Sequence, residues 1–211
     1  MTVAIIGTGN MGRSFAKLFA SKGEKIAIGA RDPAKAAALA KEIGGDAVGG
    51  DIAAAVKLAD IVLVAVWYQH TADAISAAGD LSGKILVDVS NPITEDYKSL
   101  RLGHTSSAAE ELQGLAPRSK VVKAFNTLFA TLLSKEARNG KDAVQVFVAA
   151  DDEAAKTAVS DLAIKGGFQA VDSGPLVNAR LLEPLGVLNI QLGVFLGHGT
   201  GVAPAWVKAS A

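Results

Sequence analysis

The sequence predicts an α/β fold in which a doubly wound parallel sheet is covered by helices on both faces. Short apolar runs recur along the chain, longer alanine-rich amphipathic segments separate them, and 50% of the 211 residues are hydrophobic. Continuous apolar runs are typical of strands buried on both faces. Their regular alternation with helices favours parallel strands joined by right-handed crossovers. The length suits a single domain spanning residues 1–211.

Five strands and four helices are predicted in the first half of the chain. Met11, Phe15 and Phe19 recur with helical spacing and mark the first helix, which Gly23 ends. Pro33 suits the first turn of the second helix. The strands are predicted at residues 3–6, 25–29, 46–48, 61–66 and 85–89, and the helices at residues 10–22, 33–43, 51–58 and 71–78.

The second half begins with a long loop over residues 90–105. Ser107 and Glu110 have the spacing of a capping box and predict the start of a helix. A last helix is predicted from about Leu176, with Pro184 kinking or restarting it. Residues 176–211 are thus predicted to form a short C-terminal helical extension and tail. Strands are predicted at residues 121–125, 144–149 and 168–171, with a helix after residues 151–153.

Composition excludes several classes of function. Basic and acidic residues are balanced at 21 each, and no basic block is present, so nucleic acid is not expected as a partner. The absence of cysteine excludes disulfides, iron–sulfur clusters and a cysteine nucleophile. The apolar stretch over residues 176–196 contains Arg180 and Glu183, which favours a buried or interface helix over a membrane span. Because the N-terminus lacks signal-peptide features, a cytoplasmic protein is expected.

A glycine-rich turn follows the first strand and opens the first helix. In such a turn the first glycine permits the tight bend, the second lets the backbone approach a pyrophosphate, and the third lets the helix pack closely on the strand. The free N–H groups and the positive end of the helix dipole then face the phosphates. This context predicts a Rossmann-like dinucleotide site. Its residues are Gly7, Thr8, Gly9, Asn10, Met11 and Gly12.

The end of the second strand favours NADP over NAD. An NAD site usually carries an acidic residue there, which binds the ribose 2′-hydroxyl. Here Gly29 or Ala30 takes that position, and Arg31 follows with a guanidinium suited to a 2′-phosphate. Lys35 adds a second positive charge one helical turn later. Asp32 leaves an alternative open: it caps the helix at Pro33, or it reaches the ribose and favours NAD.

Three loops at the carboxyl edge of the sheet are predicted to surround the nicotinamide, because ligands of such sheets bind outside this edge. His70 is interpreted as an acid–base group, as a ribose or phosphate contact, or as an ordinary residue at the start of a helix. Asn126 is either a helix cap or a ligand contact, and Pro92 shapes a turn in which a cis bond is conceivable. No residue is assigned as catalytic or metal-binding. The candidate ligand contacts are Val66, Trp67 and His70 in the first loop, Asn91, Pro92 and Ile93 in the second, and Asn126 in the third.

The sequence resembles the NADP-dependent oxidoreductases of the coenzyme F420 type, with their bacterial dinucleotide-binding relatives. The same unit resembles the cytosolic reductase domain of membrane ferric and cupric reductases. The motifs that carry the resemblance are residues 7–12, 29–31, 91–93, 123–127 and 172–176, together with His70, Asn178, Arg180 and Glu183.

The resemblance implies hydride transfer between NADPH and a deazaflavin or a related flavin, with the two rings held in contact. It implies that Thr8, Arg31 and Lys35 hold the 2′-phosphate. Many members have serine where this chain has Ala30, so one phosphate contact is missing here. The acceptor ring would enter between the two asparagine loops and the C-terminal helix. The resemblance also implies a homodimer, for which the apolar face over residues 181–196 is the candidate interface.

Two alternatives to this function stay open. The chain is a reductase of another small acceptor, such as a flavin-bound ferric ion or an imine, or it is a non-enzymatic NADPH-binding redox sensor. An open apolar slot beside Pro92 and Asn126 would favour an enzyme. A slot filled by Trp67, Tyr68 or the C-terminal tail would favour a sensor.

Overall fold

Eight strands form one sheet in a computed structural model of the chain, which describes residues 1–134 and 144–208. Their spatial order is β3-β2-β1-β4-β5-β6-β7-β8, so the chain crosses from one side of β1 to the other after β3. The strands are β1 (Thr2–Ile6), β2 (Lys25–Gly29), β3 (Val48–Gly50), β4 (Ile61–Val64), β5 (Ile85–Asp88), β6 (Lys120–Lys123), β7 (Gln145–Ala150) and β8 (Gln169–Asp172).

Helices follow most of the strands and cover both faces of the sheet. Short 3-10 turns lie at Tyr68–His70, Ala130–Leu133 and Leu176–Asn178, and a π turn, Gln191–Phe195, extends the last helix. The helices are α1 (Asn10–Ser21), α2 (Pro33–Ile43), α3 (Ile52–Lys57), α4 (Thr71–Ser76), α5 (Ala108–Leu115), α6 (Glu153–Lys165) and α7 (Ala179–Ile190).

This architecture confirms the predicted doubly wound α/β fold, with one difference in strand direction. Strands β1 to β6 are parallel, whereas β7 pairs antiparallel with β6, and β8 is parallel to β7. An apolar run that is buried on both faces has the same pattern in either direction. The sequence therefore predicted the strands but not the reversal of the last two.

Two hydrophobic cores lie on opposite faces of the sheet. One is formed with α1, α2 and α6 and contains an aromatic cluster, in which the Phe125 ring lies 5.2 Å from Phe15 and 6.0 Å from Phe168. The other is formed with α3, α4, α5 and the start of α7, and includes Leu112 and Leu176. Buried strands with a core on each face explain why the strand sequences are apolar throughout.

Several boundaries differ from the predictions for identifiable reasons. The third strand lies two residues later than predicted, at Val48–Gly50. Its Gly49 packs so closely on α2 that a Cβ atom would lie 2.2 Å from the carbonyl oxygen of Ala36. The sixth strand ends at Lys123 rather than residue 125, since Phe125 adopts a left-handed backbone conformation with φ of 62°.

The C-terminal extension is present as a 3-10 turn followed by α7 and the tail, of which residues 209–211 lie outside the described part. The predicted restart at Pro184 is wrong, because α7 runs from Ala179 through Pro184 to Ile190. In the described ranges 1–134 and 144–208, no helix has both the length and the apolar character needed to cross a membrane.

Candidate active site

Two glycines of the turn between β1 and α1 are required by the fold itself. Gly7 has φ of 116°, and a Cβ atom there would lie 2.4 Å from the carbonyl oxygen of Ala65. A Cβ atom on Gly12 would lie 2.0 Å from the carbonyl oxygen of Gly7. Any side chain at either position would therefore collide with the backbone.

Gly9 differs from these two glycines, because nothing in the fold requires it. Its φ is −71°, which any residue adopts, and no described atom lies within 4 Å of the position of a Cβ atom. Gly9 is the N-cap of the twelve-residue helix α1, and no side chain caps the first N–H groups of that helix. The open space thus lies where unpaired backbone donors and the helix dipole favour an anion, which fits a pyrophosphate.

The end of β2 fits a 2′-phosphate better than a free ribose. A Cβ atom on Gly29 would lie 2.9 Å from the Cα atom of Ile52, so α3 leaves no room there for an acidic side chain. Asp32 Oδ1 accepts a hydrogen bond of 3.0 Å from the Ala34 N–H, which confirms its role as the cap of α2. Arg31 and Lys35 are exposed, and neither forms an ion pair within residues 1–134 and 144–208.

A pair of asparagines joins the loops that follow β5 and β6. Asn126 Nδ2 donates to Asn91 Oδ1 at 2.9 Å, and Asn91 Nδ2 donates to the Asn126 carbonyl oxygen at 2.8 Å. Asn126 Nδ2 also donates to the Leu182 carbonyl oxygen of α7 at 2.8 Å. The interpretation of Asn126 as a cap for a following helix is therefore wrong, since its amide holds two loops and α7 together.

Helix α7 approaches this asparagine pair closely through Gly186. A Cβ atom there would lie 2.7 Å from Asn91 Oδ1 and 2.8 Å from the Asn126 carbonyl oxygen. One turn later, Asn189 Nδ2 donates to the Thr127 carbonyl oxygen at 3.0 Å. The inner face of α7 thus positions the two loops at the edge of the sheet.

Three buried side-chain oxygen atoms at these strand ends have no hydrogen-bond partner within the described part of the chain. They are Ser90 Oγ, Asn126 Oδ1 and Thr127 Oγ1. Buried polar atoms are rarely left unpaired in folded proteins, so such atoms call for a ligand or ordered water. The amide of a nicotinamide offers donors and an acceptor of the matching kind.

The loop after β4 has an aromatic lining. Trp67 is 53% exposed, and its ring lies 5.8 Å from the Tyr97 ring in an edge-on arrangement. Tyr68 donates its hydroxyl to Glu111 at 2.7 Å. Burial, together with Glu111, raises the pKa of Tyr68 to about 12. Val66 and His70 are half-buried, and no hydrogen bond joins the His70 imidazole to the described residues.

Pro92 and Ile93 are buried beside Asn91, and the Asn91–Pro92 bond is trans. The tail reaches the loop after β6, because Asn189 Nδ2, which binds the Thr127 carbonyl oxygen, also donates to the Val202 carbonyl oxygen at 3.2 Å. Thr200 bonds to Thr131, and Gln145 binds the backbone N–H and carbonyl group of Trp206 at 2.6 and 3.1 Å. The structure therefore joins Asn91 to Asn126 directly, while His70 forms no hydrogen bond to either.

A buried ionic network below the asparagine pair was missed by the sequence interpretation. Lys123 is fully buried, and its ammonium donates to Asp88 Oδ2 at 2.7 Å, the Ser90 carbonyl oxygen at 2.6 Å and Glu183 Oε1 at 2.8 Å. These three acceptors use all the donors of the ammonium group. The signal was present in the sequence, since Lys123 and Glu183 each interrupt an apolar run.

Glu183 also binds the start of α5. Its carboxylate accepts hydrogen bonds from the Ala108 N–H at 3.0 Å and the Ala109 N–H at 3.3 Å. Ser107 Oγ accepts from the Glu110 N–H, and the Glu110 carboxylate binds Ser107 Oγ, which confirms the predicted capping pair. Glu183 therefore connects β6, α5 and α7 at one point.

Burial and charge act in opposite directions on the pKa values of this network. Burial alone would lower the pKa of Lys123, but the charges of Asp88 and Glu183 outweigh it and raise that pKa. Burial raises the pKa of Glu183, against the attraction of Lys123. All hydrogen bonds of the Asp88 and Glu183 carboxyl oxygen atoms within the described residues come from N–H donors, so both groups bind as carboxylates and face the single positive charge of Lys123.

The chain is similar to known proteins over most of its length. The F420-dependent NADP reductase of Methanocaldococcus jannaschii is 32% identical, over 96% of this chain and 97% of the archaeal protein. The metalloreductase STEAP3 of Rattus norvegicus is 37% identical over 87% of this chain, which spans only 36% of the rat protein. A family model described as NADP oxidoreductase coenzyme F420-dependent matches residues 2–92.

Solved structures show the same similarity. A candidate F420-dependent NADP reductase from Arthrobacter sp. FB24 superimposes with a TM-score of 0.85 at 32% identity, over 94% of this chain and 96% of that chain. A reductive aminase from Aspergillus terreus, in complex with NADPH, has a TM-score of 0.68 at 19% identity and covers 93% of this chain and 62% of its own. At that identity the aminase shares the fold alone.

The fold, the glycine turn and these similarities together define the class of protein: it is an NADP-dependent oxidoreductase. Within that class, the family is given by the near-complete match to the archaeal reductase. The chain belongs to the coenzyme F420-dependent NADP oxidoreductase family.

Proposed function

We propose that the protein transfers a hydride between NADP(H) and a deazaflavin of the coenzyme F420 type, or a related flavin. The observation that carries this proposal is the 32% identity to an F420-dependent NADP reductase over 97% of that protein. The site supports it, because an open phosphate cradle at Gly9 and the joined Asn91–Asn126 loops lie at the carboxyl edge of one sheet.

In this proposal the residues of the chain bind and orient rather than react. The first N–H groups of α1 hold the pyrophosphate, and Thr8, Asn10 and Met11 line that cradle. When bound, NADPH supplies the hydride, and the protein contributes proximity and orientation. The candidate contacts around the nicotinamide are Val66, Trp67, His70, Asn91, Pro92, Ile93 and Asn126.

The acceptor is tested by anaerobic absorbance with purified protein, NADPH and oxidised coenzyme F420, with FMN and FAD in parallel. Loss of the deazaflavin band in proportion to protein concentration is the expected result. Turnover with FMN or FAD alone would move the function to flavin reduction, the chemistry that a flavin-mediated metal reductase needs. Tight NADPH binding without turnover of F420, FMN or FAD would contradict the proposal. It would favour a reductase of an imine or another small acceptor, or a redox sensor.

Arg31 and Lys35 are proposed to bind the 2′-phosphate. For Arg31→Ala we expect NADPH affinity to fall roughly 10- to 100-fold, since a charge-assisted bond contributes about 1.5–3 kcal/mol. NADH affinity should change by less than about twofold, because NADH lacks the phosphate. Isothermal titration calorimetry with both cofactors measures this difference.

Arg118→Ala serves as the matched control, because Arg118 is an exposed arginine in the loop before β6. It should leave both affinities unchanged. An equal loss of NADPH and NADH affinity in Arg31→Ala would contradict the assignment.

A homodimer is also proposed, with α7 and its π turn as the interface. Leu181, Leu188 and Phe195 are 67%, 54% and 49% exposed, and half-buried Leu185 and Leu192 lie between them. This alternating spacing of four and three residues is that of a helix–helix seam. An exposed apolar stripe of this kind is typical of an interface.

Leu188→Glu is expected to shift the protein from dimer to monomer, because it places a charge in the centre of this stripe. Light scattering coupled to size-exclusion chromatography measures the mass. Leu58→Glu is the control, since Leu58 is equally exposed at the end of α3. A monomeric wild type, or a Leu188→Glu variant that stays dimeric, would contradict this interface.

The single domain over residues 1–211 and the cytoplasmic location remain predictions.

A further inference from the structure

The network of Lys123, Asp88 and Glu183 carries more negative than positive charge in a site without solvent. The two carboxylates and the ammonium are at most 2% exposed. One positive charge therefore faces two negative ones, and the remaining contacts of the carboxylates are backbone N–H groups of Ser90, Ala108 and Ala109. Such N–H groups satisfy the oxygen atoms without cancelling a full charge.

The network lies directly beneath the asparagine pair. Lys123 binds the carbonyl group of Ser90, which is the residue before Asn91. Glu183 follows Leu182, whose carbonyl oxygen accepts from Asn126. The network therefore binds the residue before Asn91, and Glu183 is adjacent to the residue that binds Asn126. It lies next to the two loops that are proposed to contact the nicotinamide.

Other charges near these elements are already matched. Arg180 of α7 forms a two-bond ion pair with Glu110, at 2.6 and 2.8 Å. Arg101, whose side chain donates to the Ile93 carbonyl oxygen, is 38% exposed and lies 3.6 Å from Glu95. Neither arginine contacts Asp88 or Glu183 in the hydrogen bonds and ion pairs of the described residues, so the excess charge of the network is not offset there.

We propose that this buried network favours NADP⁺ over NADPH at the site and so promotes donation of the hydride. The inference rests on the proposed function, since it requires the nicotinamide to lie over the asparagine pair. The nicotinamide ring is a cation in NADP⁺ and neutral in NADPH, whereas the rest of the two molecules is identical. A buried negative charge consequently attracts only the oxidised form. For a unit negative charge on the order of 10 Å from the nicotinamide ring, at an effective dielectric constant of about 20, Coulomb's law gives a roughly tenfold change in the affinity for NADP⁺ relative to NADPH.

The test compares the dissociation constants of NADP⁺ and NADPH, measured by anaerobic calorimetry at neutral pH. In Glu183→Gln we expect the ratio of the NADP⁺ constant to the NADPH constant to rise roughly 5- to 20-fold over wild type. Asp88→Asn removes a charge from the other side of Lys123 and should raise the ratio in the same direction. It also keeps the test valid if Glu183→Gln does not fold.

Glu42→Gln is the control, because Glu42 is an exposed carboxylate at the end of α2. It should leave the ratio unchanged. Equal changes in both constants in Glu183→Gln and Asp88→Asn would overturn the inference and leave the network with a purely structural role. A wild type that binds neither cofactor would instead refute the proposed function, which separates the two failures.

Discussion

Lys123→Met is expected to unfold the protein at a much lower temperature than wild type. Removing the ammonium leaves Asp88 and Glu183 buried, negatively charged and without a counter-ion. Breaking a buried ion pair by deleting one partner costs about 3–5 kcal/mol. For a domain of this size each kcal/mol corresponds to about 2–4 °C, so the melting temperature should fall by roughly 6–20 °C. Calorimetry or circular dichroism measures the change.

An exposed lysine provides the matched control. Lys17 pairs with Glu42 at 2.9 Å on the surface, where solvent screens the interaction. Lys17→Met should change the melting temperature by no more than about 2 °C. Similar losses in the two variants would show that burial of the Lys123 network does not matter for stability.

Gly9→Ala is expected to abolish most cofactor affinity while leaving the fold intact. A methyl group at Gly9 meets no atom of the described residues within 4 Å, and the backbone conformation suits alanine. It would instead occupy the space of the pyrophosphate and weaken the bonds from the first N–H groups of α1. Loss of one or two charge-assisted bonds corresponds to roughly 10- to 100-fold weaker NADPH binding.

Gly12→Ala, in contrast to Gly9→Ala, should lower the melting temperature of the protein. Its methyl group would lie 2.0 Å from the carbonyl oxygen of Gly7, and overpacking of this kind typically costs about 1–3 kcal/mol. Melting temperature and NADPH affinity, measured on both variants, separate the two roles. A Gly9→Ala protein that melts early, or binds NADPH as wild type does, would refute the cradle.

Much of this site could be predicted from the sequence because local rules determine it. The glycine turn has a fixed spacing between a strand and a helix, and Asp32 and Ser107 occupy cap positions with known partners. The apolar runs gave the strands, since burial on both faces leaves no polar positions. These features depend on residues that are close together in the chain.

Contacts between distant residues were harder to predict. Asn126 is of a residue type that often caps helices, but its hydrogen-bond partners Asn91 and Leu182 lie 35 and 56 residues away in the chain. The direction of β7 depends on a connection whose course no periodic pattern specifies. Lys123 and Glu183 were recognised as motif residues, yet only the fold brings their charges within 2.8 Å.

The role of Glu183 bears on the order in which the chain is synthesised. Lys123, Asp88 and the first N–H groups of α5 leave the ribosome before α7, and a single late carboxylate completes the hydrogen bonds of Lys123 and α5. Before residue 183 is available, packing of α5 against β6 would bury the Lys123 ammonium and the first N–H groups of α5 without their Glu183 acceptor. This disfavours stable packing of the region. Chains that terminate before α7 should therefore be digested by proteases faster than the full chain, because this region packs stably only after α7 has been synthesised.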